Sequence, residues 1–396
     1  MIRFSQESLA TFLAQLRRLI ECESPSSDPR ALAASAALIA EVGEEITGIR
    51  PRVRTLEGYP HILFDVGTGP RRILLIGHHD TVWPRGTLAR MPFSVEDGII
   101  RGPGADDMKG GVLIALHAVA ALLATAGEDL LDGVTVLITG DEELGSLTSR
   151  TLIEELSAGA EAVLVFESGG GSGEVKIARK GVAIYELEAL GRAAHAGVEP
   201  EKGVNATVEL AHQVLAASAL GDAERGTTVV PAVMHSGTTT NTVPARGTLA
   251  IDSRAETTAE QERVDTALRA LRAMDPRAEL VLHGGINRPP LEEAAAAGLY
   301  ARAREVAAAL GHPELRRIRV GGGSDANFAA GVGAPTLDGL GTVGGGSHAD
   351  DEHALVEWIP RRVELVAGLI ASLLERPLEP MRAPAPADRT APARAV

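Results

Sequence analysis

The sequence predicts an α/β protein whose mixed, mostly parallel central sheet is flanked by helices on both faces. Two observations carry that reading. Short β-branched runs such as RRILLIG (71–77), GVTVLITG (133–140), AEAVLVFE (160–167) and APTLDG (334–339) are apolar throughout rather than in alternation. Continuous apolarity marks strands buried on both faces. Between them stand longer apolar stretches with helical character, GGVLIALHAVAALLATAG (110–127) and IPRRVELVAGLIASLLE (359–375). Such alternation places helices over both faces of one sheet.

The elements follow in order. At the start, Leu9, Phe12, Leu13 and Leu16 recur at helical spacing, interrupted by Arg17 and Arg18. No continuous apolar stretch or small-residue cleavage site accompanies them, so no targeting signal is expected there. The middle of the chain changes character. KGVAIYELEALG (180–191), TTVVPAVM (227–234), GTLAIDSRA (247–255) and AELVLHGG (278–285) are strand-like, with helical patterns at 204–219 and 259–274. The order β-α-β-β-α-β is the ferredoxin-like arrangement. The expected organisation is a catalytic domain in two parts (1–180 and 290–376), an inserted lid or dimerisation domain (181–289), and a Pro- and Ala-rich disordered tail (377–396).

Composition removes several function classes. The 396 residues hold 53 acidic against 38 basic side chains, a formal charge of −15, and only 3% aromatics. Neither the basic footprint nor the stacking surface that nucleic acids require is present. The single Cys22 excludes an internal disulfide framework and a thiolate metal cluster. Reading along the chain, no charge-free apolar run of about 18 residues is recognised, so no membrane span is expected. The cytoplasm is the expected compartment.

Chemistry gathers where the strands end. RRILLIG runs into His78, His79 and Asp80; GVTVLITG into Asp141, Glu142 and Glu143; AEAVLVF into Glu167. Ligands of open α/β sheets bind beyond the carboxyl ends of the strands, so these side chains are expected to converge. The glycine-punctuated segments RGPGADDMKGG (101–111) and GGGSHADDEH (344–353) add Asp106, Asp107 and His348. A set of His and carboxylates without Cys suits Zn, Mn or Co in a catalytic site. His78 and Asp80, two apart on extended chain, point the same way, so Asp80 can hold one imidazole nitrogen while the other binds metal. Spacing alone does not choose between His78 and His79. Of the neighbours Glu142 and Glu143, one can bind metal while the other handles a proton. Trp83 lines either the crevice or the core. GLGTVG (339–344) fits a dinucleotide fingerprint but runs into GGSHADDEH instead of opening a helix, so it is read as the loop presenting His348.

Seven ordered segments carry a resemblance: GHHDTVWPRGTL, RGPGADDMKGG, TGDEELGS, VFESGG, AAHAGVEPEKGVNA, TTTNTVPA and GGGSHADDEH. From about residue 5 to residue 375 the chain resembles the di-zinc metallopeptidases of family 20. Within them it is most similar to the bacterial glutamate carboxypeptidases that hydrolyse folates.

The resemblance implies His78 and Glu167 on one Zn²⁺, Glu143 and His348 on a second, and Asp107 bridging both. Co²⁺ or Mn²⁺ are possible substitutes. It makes Glu142 the general base, Asp80 the partner that orients His78, and the Asp107–Met108 peptide cis. His195 of the inserted domain matches an oxyanion donor that can reach across a homodimer. Asn241, Arg254 and Arg288 match substrate-placing positions, with Arg288 expected to clamp a free carboxylate.

The family lysine that binds the glutamate side chain has no gap-free match here. Lys176 is the candidate, and Arg179 and Lys180 are equally close in sequence. The implied activity is hydrolysis of an amide or peptide bond, releasing a C-terminal amino acid from a small N-acyl or peptidyl substrate. The alternatives are an N-acetyl-amino-acid deacetylase of the acetylornithine or succinyl-diaminopimelate type, and a non-catalytic metal-binding homologue.

Overall fold

The computed structural model describes residues 2–70 and 72–378. From residue 379 onward the expected tail lies outside the described residues.

The central sheet has six strands. Their order is Arg52–Leu56, Tyr59–Val66, Val134–Thr139, Ile73–His78, Ala162–Val165 and Thr336–Leu337. The last three junctions are parallel and the first two antiparallel. The fold class read from the sequence is therefore the one observed. Every residue of Ile73–His78, Val134–Thr139 and Ala162–Val165 is buried, as their unbroken apolarity required. The antiparallel Arg52–Leu56 and Tyr59–Val66 pair had no place in that reading. Arg52–Leu56 is an edge strand exposed along almost its whole length, so its sequence, RVRTL, carries no burial pattern to read.

Helices cover both faces. Gln6–Glu21, Pro29–Thr47, Gly110–Ala126, Glu293–Leu310 and Trp358–Glu375 enclose the larger core, with Phe12, Phe64, Leu75, Leu116 and Leu369 inside it. Ser149–Ser157 and Asp325–Gly331 close the opposite face over Leu74, Ile76 and Val163. One correction follows. The segment Lys109–Ala126 is long and apolar enough to cross a membrane by length and composition, yet 61% of it is buried inside the protein. It is apolar on every side because it packs between the sheet and neighbouring helices.

The inserted segment forms its own antiparallel sheet, ordered Thr228–Ser236, Arg246–Ala255, Gly181–Leu190 and Glu279–Arg288. By order of occurrence this is 2-3-1-4, the ferredoxin-like arrangement. Helices Ala206–Ser218 and Thr258–Arg269 pack on one face through Tyr185, Leu187, Leu210, Ile251, Val264 and Leu268. Small sheets complete the protein: Val175–Arg179 pairs with Arg317–Val320, and His353–Leu355 joins Ile99–Arg101 to Gly344–Gly345. GLGTVG opens no helix but runs into the short strands Gly344–Gly345 and His353–Leu355, as expected of a loop rather than a dinucleotide site.

One glycine couples core to site. A Cβ on Gly111 would lie 2.0 Å from the carbonyl oxygen of Phe166, the residue before Glu167. Gly111→Ala must therefore push its helix away from the strand end. We expect a loss of about 1–3 kcal/mol from this overpacking. That exceeds the roughly 1 kcal/mol that alanine offers in helix propensity. Urea unfolding of the two proteins measures it, and equal midpoints would refute the contact.

Candidate metal centre

The parallel strands deliver their polar ends to one place. His78 is the last residue of its strand, Glu142 and Glu143 follow Thr139, and Glu167 lies two residues past Val165. Asp107 sits in the turn that opens helix Gly110–Ala126, and its peptide to Met108 is cis. His348 arrives on the loop between Gly344–Gly345 and His353–Leu355, with φ 65°.

The geometry is a line of alternating imidazoles and carboxylates. His78 Nε2 lies 3.2 Å from Asp107 Oδ1 and 3.7 Å from Glu167 Oε1. On the far side, His348 Nε2 lies 3.4 Å from Asp107 Oδ2 and 3.2 Å from Glu143 Oε2. Asp107 thus turns one oxygen to each histidine. Two sets of donor atoms fall within metal-binding reach of one another, His78/Asp107/Glu143 and His78/Glu142/Glu167. His79 is excluded from this line, since its ring is buried against Ser35 and the carbonyl of Pro60. The choice that spacing left open is made by which way each ring faces.

Electrostatics agree with a cation site. Burial alone would lower His78 and raise Asp107. Hydrogen bonds with Asp107 and Asp80 instead push His78 well above its usual range, and His348 and His78 hold Asp107 well below the carboxylate range. Hydrogen bonds to Asp107 and Glu143 push His348 up to about 10. Glu167 rises to about 7 through burial and the nearby Asp107 charge. Protons are thus drawn to the positions between Nε2 and carboxylate that a divalent cation would fill. Glu143 Oε1 is buried with no hydrogen-bond partner, a donor atom left over for such an ion. The donor set fits divalent metals with nitrogen and oxygen preference.

Supporting groups fix these ligands. Asp80 is fully buried; Oδ1 lies 3.4 Å from His78 Nδ1 and accepts the Glu142 amide at 3.2 Å. Oδ2 accepts the Glu143 amide at 3.1 Å and the Ser26 hydroxyl at 2.8 Å. One carboxylate therefore orients a ligand and the turn bearing the candidate base. On the other side of that turn, His61 Nδ1 accepts the Gly140 amide at 3.3 Å and its Nε2 lies 3.0 Å from Thr148 Oγ1. The Thr148 hydroxyl donates to Asp141 at 2.9 Å.

Glu142 stands apart from the line. Burial pushes its carboxyl well above the usual range, opposed by Arg288. Arg288 Nη2 lies 2.9 Å from Glu142 Oε1, 2.9 Å from Ser146 Oγ and 3.8 Å from Asp325 Oδ1. In this structure the guanidinium expected to clamp substrate is engaged with the candidate base. Asp325 is the partner the sequence left unnamed, holding the hydroxyls of Ser146 and Thr139. Nothing in the stretch SDANF marks it out, because only the fold brings it beneath Glu142.

The remaining substrate candidates divide. Lys176 Nζ lies 3.5 Å from Ser168 Oγ, next to Glu167 in sequence. Arg179 is buried, with Nε bonded to Asp338 at 2.5 Å and Nη2 3.7 Å from Glu167 Oε2. Lys180 instead lines a cavity of about 360 Å³ with Glu256, Glu292 and Arg319. Of the three open alternatives, two therefore approach Glu167.

His195, Asn241 and Arg254 are not brought to the ligands. Among the described residues they make no hydrogen bond or ion pair with the ligand set. His195 and Asn241 lie exposed on adjoining segments of the inserted domain, joined by the Ala196 amide and the Asn241 carbonyl at 2.9 Å. Arg254 is ion-paired with Asp252 at 2.8 Å. Trp83 is buried, and its indole donates to Glu352 at 2.7 Å.

Against known proteins, the profile of Peptidase family M20/M25/M40 matches residues 74–372. The chain belongs to this family. Carboxypeptidase G2 of Pseudomonas sp. (strain RS-16) is 33% identical over 375 residues, covering 90% of this chain and 88% of that one. The succinyl-diaminopimelate desuccinylase of Rhodospirillum centenum is 29% identical and covers 92% and 96%. Among solved structures, aminopeptidase PepT from Bacillus cereus matches with a TM-score of 0.71 at 24% identity, over 93% of this chain and 99% of that one. As an M20 protein the chain is a metal-dependent hydrolase of the peptidase and amidohydrolase kind, and the donor groups described above are its candidate metal ligands.

Proposed function

We propose that this M20 hydrolase cleaves an amide or peptide bond to release a C-terminal amino acid, glutamate above all, from a small N-acyl or peptidyl substrate. The observation that carries the reading is Glu142, a buried carboxylate of raised proton affinity beside the His78–Asp107–His348 line. In this reading His78, Glu167 and Asp107 would hold one Zn²⁺, and Asp107, Glu143 and His348 would hold a second. When bound, such ions supply Lewis acidity and lower the pKa of water.

The residues of the chain do the rest. Glu142 takes the proton of the attacking water at its carboxylate and passes it to the leaving nitrogen, a role that the raised proton affinity conferred by burial suits. Asp80 keeps the His78 Nε2 lone pair free by engaging Nδ1. Arg288 leaves Glu142 for the carboxylate of the substrate, where its fork offers two parallel donors. Lys176, with Arg179 behind it, provides positive charge for an acidic side chain. His195, with Asn241 and Arg254, belongs to the inserted domain and completes the site from the partner of a homodimer. The 33% identity to carboxypeptidase G2 across most of both chains supports this choice of substrate class.

The desuccinylase relative supports a second reading, deacylation of an N-acyl diamino acid. Metal-loaded enzyme assayed on N-acyl-glutamates, other N-acyl amino acids, N-acetylornithine and N-succinyl-diaminopimelate separates the two. We expect kcat/KM at least ~10-fold higher for the glutamates, the discrimination that about 1.4 kcal/mol of differential binding provides. A preference for either diamino acid would overturn the first reading.

A further inference from the structure

Asp107 and His348 are 241 residues apart in sequence, one on the irregular helical turn Ala105–Lys109 and the other on a loop, yet in the metal-site reading their side chains share one cation. A buried carboxylate joins the two segments. Glu352 is 1% exposed and accepts four N–H donors. Its Oε1 takes the amides of Asp106 at 2.9 Å and Asp107 at 3.1 Å. Its Oε2 takes the amide of Gly104 at 3.1 Å and the indole Nε1–H of Trp83 at 2.7 Å.

Both oxygens are thus occupied by donors on the Asp107 turn and on Trp83, while the backbone of Glu352 stands four residues after His348. The same two segments are tied again by Ser347 Oγ, which donates to Asp106 Oδ2 at 3.2 Å, and Arg90 pairs with Asp350. Amides of a tight turn that face inward cannot find strand or helix partners, and an unmet buried N–H is costly. Glu352 answers three of them from the loop that carries the opposing ligand.

We propose that Glu352 is a positioning residue that sets the spacing of Asp107 and His348, and thereby the affinity of the metal they share. This rests on the metal-site reading above. Glutamine at this position keeps the size but turns an acceptor into an N–H donor facing N–H groups. Aspartate keeps both acceptors on a stem one methylene shorter.

The test uses the full chain, wild type against Glu352→Gln and Glu352→Asp. Co²⁺ and Zn²⁺ are titrated against a competing chelator, Co²⁺ absorption is recorded, and unfolding temperature is measured with and without metal. Glu352→Gln is expected to weaken binding of one of the ions by roughly 10–100-fold, to alter the Co²⁺ spectrum and to shrink the metal-induced rise in unfolding temperature. Glu352→Asp is expected to recover part of the affinity.

A purely structural role would lower the metal-free unfolding temperature and leave affinity and spectrum unchanged, which overturns the proposal. If Glu352→Gln does not fold, Glu352→Asp decides alone: affinity equal to wild type overturns the proposal, and a 3-fold or greater loss sustains it. A wild-type chain that binds neither ion would refute the metal-site reading, and this inference with it.

Discussion

Glu142→Gln is expected to lower kcat by about 10²–10⁴-fold, the range supplied by a positioned proton-transfer group. The substitution keeps the side chain's volume in a site where Glu142 is 7% exposed. It also keeps an oxygen for Arg288, whose Nη2 is bonded both to the side chain and to the main-chain carbonyl of Glu142. Folding and metal content should therefore stay close to wild type, and KM should change far less than kcat. Steady-state kinetics on an N-acyl-glutamate, with metal analysis of the same preparation, tests it. Near-normal kcat with metal bound would remove Glu142 from the role of base. A loss of metal would instead place it among the ligands, as its presence in the His78/Glu142/Glu167 donor group allows.

The second large effect is on stability. Asp80→Ala leaves the Glu142 and Glu143 amides without their buried acceptor. It also takes the carboxylate from His78 Nδ1 and the Ser26 hydroxyl, which keep only the main-chain carbonyls of residue 80 at 3.0 Å and Thr81 at 3.1 Å. Removing one member of a buried charged network costs about 3–5 kcal/mol. Activity should fall further, by roughly 10–100-fold, because His78 loses the carboxylate beside Nδ1 and keeps only the main-chain carbonyl there.

The pH dependence has a definite sign. Although burial would raise Asp80, its bonds to His78 hold its carboxyl below the usual range. Such a group stabilises the fold above its unfolded pKa and loses that contribution as pH falls through the folded one. The stability gap between wild type and Asp80→Ala should therefore be full at neutral pH and narrow as the solution is acidified below the ordinary carboxylate range. Urea unfolding of the metal-free proteins at several pH values measures this. A gap that is constant with pH would assign the effect to lost packing alone.

How much of this was legible without coordinates depends on the distance over which each signal acts. The strands ending in His78, Glu142 and Glu167 announce themselves, since burial on both faces demands an unbroken apolar run and the polar residues begin where burial stops. Asp107 and His348 are marked by glycine-rich turns. Arg52–Leu56 is different: an exposed edge strand takes its partner from hydrogen bonds that any side chain permits. Glu352 sits in the acidic run Asp350–Asp351–Glu352, where composition gives no reason to prefer one carboxylate over the next. The helix Gly110–Ala126 misleads in the opposite direction, its apolarity reflecting burial inside the protein.

The sequence by itself determined the α/β class, the inserted ferredoxin-like unit, and which residue types stand at the strand ends, because periodicity and strand termini are local properties of the chain. Only the tertiary structure decided that the His79 ring turns to Ser35 and Pro60, that Arg288 rests on Glu142, that Asp80 also holds the Glu142 and Glu143 amides, and that Asp325 and Glu352 support the site. Those choices depend on ring orientation and on contacts between segments up to 269 residues apart, as in the bond from Trp83 to Glu352. Loop closure over such lengths leaves no trace in local pattern, and the partners of a buried polar group are known only once the chain has folded around it.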